Sequence, residues 1–244
     1  MCFLGNPGTG KTEVARIIAG ILHENGLLRT DRVVETDRSG LVAGYVGQTA
    51  MKTAAVIEEA MGGVLFIDEA YSLVQGDTGG DYGHEAVSTL IKAMEDYRGE
   101  FCVILAGYKN QMHEMLASNP GFQSRIQFTL DFPNYNRDEL GQIAALMLKS
   151  GGYTASNAAK DRMLDITDYI RKEPNFANAR EMRNIIEQVI MCQNVRCAGT
   201  ADKTLELVDV NNYIKENHVN LPTSGEGTDC LLYTSPSPRD MRRS

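Results

Sequence analysis

Nowhere in the 244 residues does an apolar run reach the length needed for a helix to cross a bilayer, which argues against a membrane-spanning helix. The five cysteines, Cys2, Cys102, Cys192, Cys197 and Cys230, form no CxxC pair and have no His at metal-ligand spacing. That argues against a metal or disulfide framework. It leaves reduced, mostly structural thiols, with Cys102 in a strand-like run and Cys192 and Cys197 in an expected helix, as in a cytoplasmic protein. A formal net charge of −8 with no Lys/Arg cluster argues against nucleic acid as the main partner. There is no internal repeat. No secretory signal is expected either, because the N-terminus runs straight into the first motif.

That first motif is "GNPGTGKT", Gly5 to Thr12, which fits the phosphate-loop pattern G-x-x-x-x-G-K-[ST]. Gly5, Gly8 and Gly10 let the backbone curl so that successive N–H groups, including those around Asn6 and Thr9, point at phosphates; Pro7 lies between them. A helix starting near Lys11 aims its positive end at the same place. Lys11 is expected to reach the β- and γ-phosphates of ATP, and the Thr12 hydroxyl to hold Mg²⁺, with Glu13 following in the first turn. The strand-like "CFL" in front and the helical periodicity of "EVARIIAGILHENG" behind set this apart from a chance glycine-rich turn.

Further along, "RVVET" reads as a short strand, "DRSGLVAGYVGQTAMKT" as a polar, glycine-bearing segment and "TAAVIEEAM" as a helix. "GGVLFIDEAYSL" carries the strongest strand signal. "DTGGDYGHE" reads as a loop, "EAVSTLIKAMEDYR" as an amphipathic helix, and "EFCVILAGY" as a strand buried on both faces. The helix "NQMHEMLAS" and the strand "QFTLDF" complete this part. Alternating strands and helices predict an α/β sandwich with a mostly parallel sheet over residues 1–133. From "PNYN" onward the pattern becomes nearly all helical, predicting a small helical domain over 134–218 and a tail over 219–244.

"VLFIDEA" ends on Asp68 and Glu69. A parallel sheet brings the carboxyl ends of its strands to one crevice, so these acids should stand beside the phosphate loop. Asp68 can hold the Mg²⁺ shell, and Glu69 can take a proton from a water aimed at the γ-phosphate. The alternative is a helix cap with a first-turn acid. A simple nucleotide kinase would not need Glu69, since its substrate is the nucleophile.

The set "GNPGTGKT", "GYVGQTA", "GGVLFIDEAY", "VILAGYKNQM", "SNPGFQSRI", "DFPNY" and "FANAREMRN", in that order from residue 3 to about 190, resembles the AAA+ ATPases. It is most similar to the group containing red-type Rubisco activase and the stage V sporulation protein K family. The resemblance implies ATP hydrolysis at the subunit interfaces of a ring, usually a hexamer, that remodels a protein client. It implies that Arg125 acts as an arginine finger on the neighbouring subunit's γ-phosphate, where an isolated Arg would otherwise suggest a surface salt bridge. Arg180 falls at the sensor-2 position of the lid, with Arg183 three residues on as the runner-up. Sensor 1 departs from the family's usual Asn: Tyr108 stands about there, with Asn110 two residues later, and Tyr108 suits either a water-orienting or a packing role. Tyr45, Val46 and Gly47 fall at the pore-loop position, where an aromatic grips a polypeptide; a turn whose Tyr packs on its own domain is the alternative.

The family builds part of its adenine pocket from a segment ahead of the first strand, so Met1 reads as an internal methionine of a longer protein. At the other end "CLLYTSPSPRD" resembles a translated sequencing adapter; otherwise its composition suggests a disordered tail. Alternative functions are a nucleotide-gated switch or scaffold with slow hydrolysis, a DNA-associated loader, and a small-molecule kinase. The combination of Lys11, Thr12, Asp68, Glu69 and Arg125 counts against the first, the acidic charge against the second, and the lid and finger arginines against the third.

Overall fold

The computed structural model describes residues 1–45, 47–74, 82–173, 176–198, 202–219 and 221. The stretch from Cys230 onward, with its adapter-like sequence, lies outside the described residues.

Five parallel strands form one sheet: β1 (Cys2–Gly5), β2 (Val33–Thr36), β3 (Val64–Ile67), β4 (Cys102–Gly107) and β5 (Thr129–Phe132), in the order β2-β3-β4-β1-β5. Side chains on a strand alternate between faces, and here each face meets a different helical layer. On one face Phe3, Val64, Phe66, Ile104 and Ala106 pack with Ala15 and Ala19 of α1 (Lys11–Glu24). On the other, Leu4, Leu65, Ile67, Val103 and Leu105 pack with Ile57 of α3 (Thr49–Ala60) and Val87 and Leu90 of α4 (Gly83–Asp96). That double burial explains why β3 and β4 are continuous apolar runs.

The segment between β2 and α3 differs from its sequence reading as a polar connection. Arg38–Leu41 forms a helical turn, α2, capped by Asp37, whose carboxylate accepts from the Gly40 N–H at 3.0 Å. The next helix begins at Thr49, not Thr53. Thr49 and Thr53 are fully buried, and each pairs with backbone: the Thr53 hydroxyl donates to the Leu41 carbonyl at 3.0 Å, and the Ala43 N–H donates to Thr49 Oγ1 at 3.1 Å. Burial with a partner lets polar residues serve as core. Similarly α4 starts at Gly83, inside the expected loop, whose residues 77–81 lie outside the described set.

After β4 come α5 (Lys109–Ser118) and α6 (Pro120–Arg125), a short helix capped by Asn119. Beyond β5 the helical part consists of α7 (Arg137–Ser150), α8 (Asn157–Ile170), α9 (Asn178–Arg196) and α10 (Leu207–Glu216). α7 opens with a capping box in which the Asn136 side chain accepts from the Glu139 N–H at 2.9 Å and the Glu139 carboxylate accepts from the Asn136 N–H at 2.8 Å. This part has its own core, built on Leu140, Met163, Ile166, Met182, Ile185 and Val189. It also holds a parallel two-residue ribbon, β6 (Thr154–Ala155) with β7 (Thr204–Leu205), which the sequence reading did not assign. Cys197 follows α9 as its cap, while Cys192 lies buried within it. Cys2 and Cys192 are buried thiols, and Cys102 is partly buried.

Candidate nucleotide-binding site

The carboxyl ends of β1, β3 and β4 converge on one cleft of about 360 Å³. β1 ends at Gly5 and hands over to the phosphate loop and α1; β3 ends at Ile67, immediately before Asp68 and Glu69; β4 ends at Gly107, before Tyr108. The opposite wall comes from the first turns of α9, through Ala179, Arg180 and Arg183. The sheet thus gathers Gly5, Pro7, Gly8, Gly10, Lys11, Thr12, Glu13, Asp68, Glu69 and Tyr108 against both lid arginines. Asn6 and Thr9 do not face the cleft. Thr9 is buried and its hydroxyl donates to the Asn6 carbonyl at 2.8 Å, while the Asn6 amide donates to Asn134 Oδ1 at 2.9 Å.

The loop turns through left-handed backbone at Gly8 (φ 69°) and Gly10 (φ 86°), conformations a side chain would strain. Lys11 folds over the loop, its ammonium donating to the carbonyls of Gly5 and Asn6, both at 2.9 Å. Burial pulls the Lys11 pKa below the ordinary lysine value, and the Arg180 charge adds to this; the Asp68 and Glu69 carboxylates oppose it.

Asp68 is half-buried. Its backbone N–H donates to the Thr36 carbonyl at 2.8 Å, and its carboxylate accepts from the Glu69 N–H at 3.0 Å. Glu69 stands exposed, in left-handed backbone (φ 47°, ψ 40°), which is costly for a residue with a Cβ and recurs at functional sites. It precedes a single 3₁₀ turn, Ala70–Leu73. Asp68 also borders a second, adjoining cavity of about 410 Å³ together with Thr12, Thr36 and Asp37. Thr12 and Asp68 therefore share both spaces. No group of three or more His, Cys, Asp or Glu forms a metal cage among the described residues. The Thr–Asp pair suits Mg²⁺, which keeps waters and uses few protein ligands beside phosphate oxygens.

Tyr108 leads into α5 and its ring lies 6.0 Å, centroid to centroid, from that of Tyr71. Burial, with the nearby Glu69 charge, pushes the Tyr71 phenol up to about 12. Asn110, the other sensor-1 candidate, is exposed on α5.

Three residues without a role in the sequence reading complete the site. Asn178 is fully buried in left-handed backbone (φ 49°) at the start of α9. Its amide donates to the Pro7 carbonyl at 3.2 Å and to Asn134 Oδ1 at 3.0 Å, and its Oδ1 accepts from the Tyr135 N–H at 3.0 Å. The Tyr135 hydroxyl donates to the Thr9 carbonyl at 3.0 Å. "DFPNY" and "FANAREMRN" both appeared among the motifs, yet only Arg180 and Arg183 acquired a function from them.

Arg125 lies outside this cleft. It ends α6 beside an ion pair with Glu95 at 3.0 Å and weaker bonds to Gly121 and Ser124 at 3.3 Å. Its neighbours around a cavity of about 600 Å³ include Met1, Phe101 and Cys102, at the amino ends of β1 and β4. That cavity is the larger one, but Leu22, Leu28, Val103 and Phe128 line much of it and it lacks the convergent acids and lysine of the cleft. Within one chain Arg125 and Lys11 therefore face opposite edges of the sheet. Tyr45 is 73% exposed, ahead of α3, and Gly47 turns through φ 76°; Val46 lies outside the described residues.

A parallel sheet with a left-handed glycine loop at its carboxyl edge, two acids beside the loop and arginines from a helical cap defines a P-loop nucleotide-binding module with a lid. Two family models narrow the class: "ATPase family associated with various cellular activities (AAA)" matches residues 1–134, and "AAA lid domain" matches 136–220. The chain belongs to the AAA family, and it is an ATP-binding ATPase of that family. It is 46% identical over 217 residues to protein CbbX of Cereibacter sphaeroides, covering 89% of this chain and 70% of that one. To stage V sporulation protein K of Bacillus subtilis it is 43% identical over 199 residues, covering 80% and 62%. The expected kinship with the Rubisco activase and sporulation protein K group holds. Among solved structures, the Thermotoga maritima RuvB Holliday junction branch migration motor superposes with a TM-score of 0.64 at 19% identity, covering 90% of this chain and 62% of that one. That likeness is one of fold. No helix among the described residues is long and apolar enough to cross a membrane.

Proposed function

We propose that the chain hydrolyses ATP with Mg²⁺ in this cleft and uses the cycle to remodel a protein client from within a ring, as a cytoplasmic machine. The observation that carries this reading is the convergence of Lys11, Thr12, Asp68, Glu69, Arg180 and Arg183 on one cleft. The backbone N–H groups of the loop and the α1 N-terminus suit the phosphates, with Lys11 reaching the outer ones. Mg²⁺ held by Thr12 and Asp68 would neutralise charge on the phosphate oxygens. Glu69 accepts a proton from the attacking water. Arg180 and Arg183 contact the nucleotide from the lid, and Tyr108 orients the water.

Arg125 cannot serve its own cleft from the opposite sheet edge, so its action on a γ-phosphate belongs to the cleft of a neighbouring copy. This supports a ring, a hexamer by family habit. Tyr45, exposed and not packed on its own domain, supports a client-gripping loop with Val46 and Gly47. We assign residues 1–133 to the ATPase domain and 134–218 to the lid.

The test is ATPase rate per protomer against protein concentration. A rate that climbs with concentration and falls by about 10³-fold in Arg125→Ala marks sites completed between subunits. A flat rate indifferent to Arg125 would overturn the ring and leave a slow nucleotide switch.

A further inference from the structure

The carbonyls of the phosphate loop from Gly5 to Gly10 can all be accounted for. Gly5 and Asn6 accept from Lys11, Asn6 also from the Thr9 hydroxyl, and Gly10 from the Val14 N–H at 3.0 Å. The three carbonyls between them are taken by the other half of the molecule. Pro7 accepts from Asn178 Nδ2, Gly8 from the Ala179 N–H at 3.1 Å, and Thr9 from the Tyr135 hydroxyl. A trans peptide points its C=O and the following N–H in opposite directions, and no described peptide is cis. Holding these carbonyls toward the lid and its linker therefore turns the N–H groups of Gly8, Thr9 and Gly10 the other way, toward the cleft.

The geometry points to Asn178 and Tyr135 as positioning residues that set the phosphate-binding shape of the loop from behind. The lid thus prepares the nest that receives the nucleotide, apart from any contact its arginines make. Asn178 is suited to this by its backbone as well as its amide. Its left-handed φ is tolerated by Asn more readily than by most residues. From that turn its side chain reaches the loop, the linker and the Phe176 carbonyl at once, the last at 3.3 Å. A buried amide with all these partners holds one arrangement, because rotating it would strand several polar groups together. The inference rests on the cleft being a nucleotide site, and it adds residues that touch neither phosphate nor base.

The experiment uses the full chain and Mg·ADP as probe. Three variants divide the contacts. Asn178→Gly keeps the left-handed backbone and removes the amide. Asn178→Asp keeps the shape and the acceptor for Tyr135 but loses both donors. Tyr135→Phe removes the hydroxyl alone and preserves the fold. ADP affinity measured by calorimetry is expected to fall about five-fold in Tyr135→Phe and ten-fold or more in both Asn178 variants. The KM for ATP rises correspondingly, while kcat at saturation stays within about two-fold. In the nucleotide-free chain, hydrogen exchange at the Ala179 amide is expected to quicken in all three. Wild-type ADP affinity and unchanged Ala179 protection in folded Asn178→Asp and Tyr135→Phe chains would overturn the inference alone. A wild-type chain that binds no ADP would overturn the nucleotide-site reading, and the inference with it.

Discussion

In the sheet half, β3 places Val64, Leu65, Phe66 and Ile67 at 0–1% exposure between two helical layers, with no polar side chain along its length. The lid places charge and amides in its interior instead. Asp209 is fully buried and holds Arg196 through bonds of 2.7 and 2.9 Å, and Gln193 is buried with its amide donating to the Asp202 carbonyl at 2.6 Å. On its flank Arg137 bridges Asp165, at 2.9 Å, and Asp168. Apolar burial is non-directional and tolerates small shifts, whereas a buried charge pair demands geometry. The sheet half presents the phosphate loop, Asp68 and Glu69 at its strand ends. The half with directional internal contacts contributes the opposite wall of the cleft, through Ala179, Arg180 and Arg183.

The largest effect should come from the chemical wall. Glu69→Gln removes the proton acceptor proposed above, so kcat is expected to fall by about 10²-fold or more, the worth of a positioned general base, with ADP affinity close to wild type. Equal losses of kcat and affinity would place Glu69 on the binding side and dissolve the division of labour. Next come the two cores. Phe66→Ala should cost about 3–5 kcal/mol in urea unfolding, by cavity formation in a packed sheet. Asp209→Ala should cost less, because Arg196 is partly exposed and regains water when its partner goes. If Asp209→Ala proved the more damaging, the lid pair rather than the sheet core would dominate stability.

Smaller still is Arg137→Ala, expected to destabilise by about 0.5 kcal/mol, since its carboxylate partners are partly solvated. That difference should shrink in 1 M salt, where the screening length is about 3 Å, while the Phe66→Ala loss should persist. Lys11 gives the finest probe. Its lowered pKa means the cation is lost at a pH below the usual lysine midpoint of about 10.4. ADP affinity should therefore decline with rising pH before that point is reached, and calorimetry from neutral to alkaline pH would show it. An affinity flat up to the ordinary lysine range would mean Lys11 contributes little to binding.

These two halves were not equally legible in the sequence. The doubly buried strands announce themselves as apolar runs, and the helix expected around Cys192 appears as α9 because its apolar face keeps helical period, though Cys197 caps it instead of lying within it. The true start of α3 escaped because Thr49 looks like a loop residue until its backbone partner is known. The ribbon of β6 and β7 escaped too. Each strand has two residues, and Thr154 pairs with Thr204 far along the chain, beyond any local pattern. At the site the same contrast holds. Lys11, Thr12, Asp68 and Glu69 form local motifs tied to strand ends, so a sequence shows them. Asn178 acts through a loop carbonyl 171 residues away, and Tyr135 through one 126 residues away. Their function lies in a hydrogen bond to backbone, which leaves no compositional trace.

Gly8 takes on a second meaning in this arrangement. A methyl group on its Cα would stand 2.0 Å from the Ala177 carbonyl oxygen and 2.8 Å from the Arg180 nitrogen. The bare Cα is thus the fulcrum on which the lid rests. A side chain of any size at that point would act as a doorstop, propping the two halves apart while leaving Lys11 and Glu69 untouched.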